Sequence, residues 1–365
     1  MHDLVASPFL GKFLVLRPGY ANGIKIPAKK YRELSPEGTV PAWLTEISWK
    51  AWDTEPGNLL VRQESALGYG KATYELNLGC NYDCEHCYLG LKKFEGLGWP
   101  ERERLLENIR DAGVLWLQLT GGEPMVDRLF AAVYTKAYEL GMMIEILTNG
   151  SRLANPKILD LLTKHRPSRV IVSVYGATQE SYDGLTRRKG AFKIFMRALD
   201  AARAAGIRLE LSLIITTRNA HEKDQMTELA HGFGRISGEY GTMSPTIYGG
   251  AGSLPSQSPE YLTKRKIFRG CDAGHTSFHV DPFGKASICK IGREPSIDLV
   301  TEGAGGLVRL GGIADGLLLR QGGCTGCTLQ GTCGTCMPLV QLYRRARAPL
   351  AIYCQHKEPR EEVAG

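Results

Sequence analysis

Cys80-Asn-Tyr-Asp-Cys84-Glu-His-Cys87 sets three thiols on one short stretch in a C-x3-C-x2-C spacing. Three thiolates so placed can hold three irons of a cubane iron–sulfur cluster and leave the fourth iron open to a substrate or cofactor. Zinc asks for four ligands; His86 is at hand, but its place between Cys84 and Cys87 makes that geometry cramped. Seven further cysteines follow: Cys271, Cys289, Cys324, Cys327, Cys333, Cys336 and Cys354. They read C-x12-G-x4-C, then C-x2-C-x5-C-x2-C, then a lone C. A zinc ribbon on Cys324, Cys327, Cys333 and Cys336 is the simpler alternative, yet it leaves three cysteines unexplained and its knuckles stand too close together.

These residues need elements to hold them. From about Ala72 to Tyr248 strand-like and helix-like segments alternate: ATYELNL (72–78), a helix over 101–113, VLWLQLT (114–120), a helix over 127–141, MMIEILTNG (142–150), a helix over 156–165, RVIVSVYG (169–176), a helix over 191–206, IRLELSLIITT (207–217), a helix near 221–233 and a last strand-like TMSPTIY. Six such βα units predict an α/β fold with a parallel sheet wrapped by helices. In barrels of this kind chemistry gathers at the C-terminal strand ends. Cys80, GGEP (121–124), TNG (148–150) and Ser173 all fall there. The first 66 residues read as a small α+β appendage, with FLVLRP and GIKIP as strands and AWLTEISWKAWDT as a helix. GGAGSLPSQSPEY (249–261) reads as a linker into a cysteine-rich region of little periodicity, which needs metal to hold it together.

The first cysteine motif after a first strand, GGEP after the second and the serine of SVYG after the fourth resemble the radical S-adenosylmethionine (SAM) superfamily. The resemblance implies a partial (β/α)6 TIM-like barrel over 67–250, with a [4Fe–4S] cluster on Cys80, Cys84 and Cys87 and SAM chelating its open iron. Electron transfer would cleave SAM to methionine and a 5′-deoxyadenosyl radical, which abstracts hydrogen from substrate. Gly121 and Gly122 leave room for strand-end groups to meet the SAM ammonium, and Glu123 adds a negative charge beside it; its plainer role is a helix-start acid. The Ser173 hydroxyl would bond the ribose, unless it is an ordinary strand-end serine. Arg187 or Arg188 would pair with the SAM carboxylate. Asn149 and Asn219 are further candidate contacts.

The second pattern resembles the SPASM extension, a module with two auxiliary clusters, here over 251–365, with two residues in place of the usual three before Cys336. Carried over, Cys324, Cys327, Cys333 and Cys354 would hold an outer cluster and Cys271, Cys289 and Cys336 an inner one, making three [4Fe–4S] clusters in all. No free thiol is left to return a hydrogen atom, which disfavours epimerisation; two extra clusters suit a net two-electron oxidation. The resemblance implies an oxidative peptide maturase that cross-links a ribosomally made precursor peptide, its leader met by the N-terminal appendage, with a flavodoxin or ferredoxin as electron donor. A dehydrogenase of a non-peptide small molecule and a sulfatase-type protein maturase are the alternatives.

Composition narrows the remaining classes. The chain has 365 residues, 43% hydrophobic and 23% charged, an ordinary globular balance that predicts two or three domains. Forty-five Lys and Arg against 38 Asp and Glu leave +7, enough to favour an acidic peptide but short of a nucleic-acid signature. LYRRARAP (342–349) is a basic helix that could meet an acidic leader or simply face solvent. No stretch is apolar enough to span a membrane. The start lacks the basic region of a signal peptide, so grouped cysteines point to a cytoplasmic metal protein rather than a disulfide one.

Overall fold

Alternating apolar residues at the start of the chain build a sheet with two covered faces. The computed structural model describes residues 2–20, 22–35, 39–263, 266–317 and 321–356. Strands β1 (Leu4–Phe9) and β2 (Lys12–Leu16) form a hairpin through Leu10 and Gly11, both at positive φ as a tight primed turn demands. With β3 (Ile24–Ile26) and β4 (Leu59–Val61) they make a sheet ordered β3-β2-β1-β4. Leu4 and Ala6 face Leu44 and Trp52 of the helix Ala42–Trp52, while Val5 packs on Leu115 and Met143 at the foot of the main sheet. Arg62, buried between the two sheets, donates to the carbonyl of Val114 at 2.7 Å.

The main sheet has nine strands. β5 (Lys71–Glu75), β6 (Trp116–Thr120), β7 (Met143–Thr148), β8 (Arg169–Val174), β9 (Leu209–Ile214) and β10 (Arg235–Tyr240) lie side by side in chain order, all parallel. On the other edge β5 pairs in parallel with β11 (Ser277–Val280), which continues into antiparallel β12 (Lys285–Ser287) and β13 (Ile297–Asp298). The outer face of the parallel run is covered by the helices Trp99–Asp111, Phe130–Glu139, Pro156–Lys164 and Ala191–Ala204, and the buried core is continuous from Tyr74 to Leu213. Among the described residues no helix is long and apolar enough to cross a membrane.

Three expectations are corrected. The sixth strand is not TMSPTIY but Arg235–Tyr240, a half-exposed edge strand with a bulge between Ile236 and Gly238, so polar residues mask its pattern. The segment 249–261 is no solvated linker. Ser253, Ser256, Gln257 and Ser258 are buried, and the Gln257 amide accepts from Met243 N–H (2.7 Å) and donates to the carbonyls of Gly241 (2.7 Å) and Ser258 (2.8 Å). Its polar side chains saturate backbone groups that water would otherwise meet. The SYDGLT stretch, left between elements by the pattern, lies in the helix Gln179–Thr186, capped by Thr178, whose hydroxyl accepts from Ser181 N–H.

Candidate radical SAM site

The loop that carries Cys80, Cys84 and Cys87 is zipped to the loop that carries GGEP. Beyond β5, the Asn77 carbonyl accepts from Gly122 N–H (3.0 Å) and the Gly79 carbonyl from Glu123 N–H (2.9 Å). A Cβ on Gly121, which sits at φ +136°, would stand 2.2 Å from Asn77 O, and one on Gly122 would stand 2.1 Å from Gly79 O. Both glycines are therefore required by backbone-to-backbone contact. Arg102, also buried, donates to the Leu76 carbonyl (3.0 Å) and to Asp127 (3.0 and 3.1 Å), fixing the exit from β5. Further along, Asp83 N–H and Glu85 N–H donate to the carbonyls of Thr186 and Leu185 (3.0 and 3.2 Å) at the end of the helix Gln179–Thr186.

All three thiols line one cavity of about 480 Å³ together with Gly121, Gly122, Asn149 and Ser173. Burial pushes the Cys80 thiol up to about 11, and it drives Cys84 up as well, reinforced by the charges of Cys80 and Cys87. None of the ten cysteines is in a disulfide. Thiols raised in this way, as Cys80 and Cys84 are, become stable thiolates beside strong positive charge, which is what iron would supply. His86 lies on the same loop; burial lowers it to about 4, so its ring is neutral, and it stands 5.4 Å from Tyr175. Among the described residues no three His, Cys, Asp or Glu side chains are gathered tightly enough to hold a single metal ion.

The other expected contacts divide. Asn149 Nδ2 donates to Asn81 Oδ1 (3.0 Å) and to Cys80 Sγ (3.7 Å), so it touches the thiol loop directly. Glu123 does not line the cavity. It is fully buried and accepts from Met125 N–H (3.0 Å), Asn149 N–H (2.7 Å) and the Thr148 hydroxyl (2.8 Å). Burial raises its carboxyl to about 7 against those hydrogen bonds. It caps the turn 124–126 and holds Asn149 in place. Arg187, in the left-handed region at φ +51°, and Arg188 are both exposed outside the cavity wall; Arg187 Nη1 stands 3.7 Å from Asp83 Oδ2. Asn219 is spent on backbone, donating to the carbonyls of Tyr175 and Ile214 and accepting from Thr216 N–H, each at 2.8 Å.

The cavity also holds polar residues that sequence reading passed over. Arg169 on β8 reaches Glu145 on β7 and Glu210 on β9, both at 2.9 Å, and Gln118 on β6 lies 3.4 Å from Glu145. Burial works against the Arg169 charge, but the two carboxylates raise its pKa overall. The signal was present: WLQLT, MIEILT, RVIVSV and LELSLI each carry one such residue in an apolar strand. Lys290 enters the same cavity from the C-terminal region, its ammonium 4.9 Å from the centre of the Tyr88 ring. The cavity makes its side chain accessible, while the protein around it lowers its pKa through burial.

Next to Lys290, Arg293 clasps Glu75 at the end of β5 with two bonds (2.8 and 2.9 Å). The Tyr88 hydroxyl donates to the same carboxylate at 3.3 Å, and His279 lies 3.4 Å away. Burial alone would raise Glu75; the charge of His279 and the Arg293 bonds hold it at about 2.

The C-terminal thiols fall into two groups. Burial raises Cys324, and the charges of Cys327, Cys333 and Cys354 raise it further; Arg344 Nη2 donates to its sulfur at 3.6 Å. His356 lies 3.4 Å from Cys354 Sγ and 3.9 Å from Cys327 Sγ. Burial pushes Cys336 up to about 11, with added contributions from Cys289 and Cys271.

The Radical SAM superfamily model matches residues 74–230. The S-adenosylmethionine-dependent nucleotide dehydratase of Selenomonas ruminantium is 30% identical over 165 residues, 41% of this chain and 59% of that protein. The mycofactocin maturase MftC of Mycobacterium tuberculosis is 30% identical over 167 residues, 44% of this chain and 42% of that one. The chain thus spans about half the length of the curated relatives it matches. In fold it is similar to Streptococcus suis SuiB bound to precursor peptide SuiA, with a TM-score of 0.61 at 13% identity over 92% of this chain and 95% of that one. Residues 74–230, which supply the thiol loop, the glycine interlock and the strands β6 to β9, thus match the Radical SAM superfamily.

Proposed function

We propose that this protein reductively cleaves SAM at a [4Fe–4S] cluster on Cys80, Cys84 and Cys87 and oxidatively modifies, by cross-linking, a ribosomally made precursor peptide in the cytoplasm. The observation that carries this reading is the shared cavity. Three thiols from one loop, Asn149, Ser173 and the paired glycines open onto it, and the C-terminal region sends Lys290 into it. The parallel run β5 to β10 is then a (β/α)6 partial barrel, within 67–250. The N-terminal sheet of 1–66 is an appendage beneath it, and 251–365 an auxiliary-cluster region. The clusters, when bound, supply single electrons at low potential.

The protein's own residues do the rest. Asn149 and the Asn81 it bonds steady the thiol loop, and Glu123 steadies Asn149. Ser173 offers a hydroxyl to the cofactor, and the Arg169 carboxylate pairs close the polar floor of the cavity. Cys324, Cys327, Cys333 and Cys354 form an outer site, Cys271, Cys289 and Cys336 an inner one, with a flavodoxin or ferredoxin as electron donor. The likeness to peptide maturases, among them the Rhizobium meliloti PqqA peptide cyclase at 29% identity over 158 residues, supports the substrate class.

Anaerobic reconstitution tests the reading. We expect about twelve irons per chain and 5′-deoxyadenosine after dithionite reduction, with cleavage abolished in Cys84→Ala. Zinc without iron, or iron without cleavage, would overturn it.

A further inference from the structure

The thiol groups differ in the charge of the nitrogen that meets their sulfur. Cys80 Sγ accepts from Tyr82 N–H (3.4 Å) and Asn149 Nδ2 (3.7 Å), and Cys289 Sγ from Gly292 N–H (3.2 Å), all neutral donors. Cys324 Sγ instead accepts from the guanidinium of Arg344 at 3.6 Å. Arg344 sits in the last turn of the helix Met337–Arg345, which starts directly after Cys336, so one short rod spans from the inner thiol group to the outer one. The far end of that rod is held by buried Leu342 and Tyr343, the latter stacked on Tyr353 at 5.1 Å, one residue before Cys354. Among the described residues the contact recorded for the Arg344 guanidinium is this sulfur.

A full positive charge donated to a cluster-bound sulfur stabilises the reduced, more negative form of the cluster. We infer that Arg344 is a positioning residue for electron flow, raising the reduction potential of the outer site and so making it a better electron acceptor. This inference rests on the proposed reading that Cys324, Cys327, Cys333 and Cys354 hold an iron–sulfur cluster. Arg344 is exposed, so its influence is screened by salt.

The test is a potentiometric titration followed by electron paramagnetic resonance on the reconstituted full-length chain, with the outer signal identified as the one lost in Cys327→Ala. Arg344→Gln should lower the outer potential and leave the other signals in place. The shift should shrink at high salt. Arg344→Lys, which keeps the charge without the planar fork, should retain part of the potential and serves as the deciding variant if Arg344→Gln loses iron. Arg345→Gln, one residue on, should change nothing. An outer potential equal to wild type in Arg344→Gln, or in Arg344→Lys an outer potential no higher than that of a salt-matched Arg344→Gln, overturns the inference while about twelve irons per chain leave the functional reading intact. About four irons in the wild type removes the outer site and this inference with it, while 5′-deoxyadenosine formation in the same sample would keep SAM cleavage at Cys80, Cys84 and Cys87.

Discussion

The two thiol-bearing regions are built by opposite means. The loop of Cys80 to Cys87 is clamped on every side by peptide groups: Gly121 and Gly122 against Asn77 and Gly79, and the helix Gln179–Thr186 against Asp83 and Glu85. It sits on a core that runs unbroken through six parallel strands. The outer C-terminal thiols rest on a small cluster of Leu254, Val340, Tyr343 and Tyr353, with Cys324 and Cys354 themselves among the packing groups. Cys80 and Cys84 pack on a core as well, but theirs is the large one of the main sheet, whereas the outer thiols have only that small cluster beneath them and would depend more on a bound metal for their geometry.

That contrast can be broken. The largest effect is expected from stripping metal with a chelator: under limited proteolysis the region beyond Gly322 should become cleavable while fragments spanning β5 to β10 persist. Equal resistance of both regions would remove the distinction. Next comes the clasp that joins the two. Arg293→Gln leaves the Glu75 carboxylate buried without the partner that makes two bonds to it, and breaking such a pair costs about 3–5 kcal/mol, readable as a lowered urea midpoint.

Glu123 sharpens the comparison through pH. Its folded value of about 7 lies above the ordinary 4.5, so the folded apoprotein holds a proton that the unfolded chain has lost. Its contribution is full below pH 4.5 and is lost as pH rises through 7, a swing of about 3 kcal/mol. In Glu123→Gln that part of the pH dependence should vanish, seen as a smaller difference between urea midpoints at pH 5 and pH 8. Gly122→Ala drives a Cβ to 2.1 Å from Gly79 O, a backbone clash that should cost at least about 1–3 kcal/mol, with a matching loss of iron retained at the first site. Wild-type iron retention would show that the interlock is slack.

Legibility followed periodicity and failed with tertiary context. The βα alternation and the thiol spacings stand in local pattern, and the strands β5 to β9 lie where that pattern puts them. Gly121 and Gly122 were readable as sites of close approach, but the partner they approach, the backbone at Asn77 and Gly79, lies on another loop. For Glu123 the sequence offers a charge beside SAM or a helix-start acid; it is the latter, capping 124–126, and the Thr148 and Asn149 groups that also occupy it come from the next strand end. Arg187 and Arg188 are candidates because the resemblance puts an arginine in this loop; that both are exposed, with Arg187 beside Asp83, is seen only in the fold. The segment 249–261 has the composition of a linker, and only the backbone groups that Gln257 meets reveal it as packed.

The pairing of β11 with β5 has a consequence for synthesis. Thr73 and His279, bonded across that seam, are 206 residues apart. At about 5–20 residues per second, the outer edge of β5 waits on the order of ten to forty seconds on the ribosome before its partner strand exists. During that interval it is an open template for another chain. A nascent chain of this protein therefore depends on something covering that edge, and truncations ending before Ser277 should aggregate even though six parallel strands are already made.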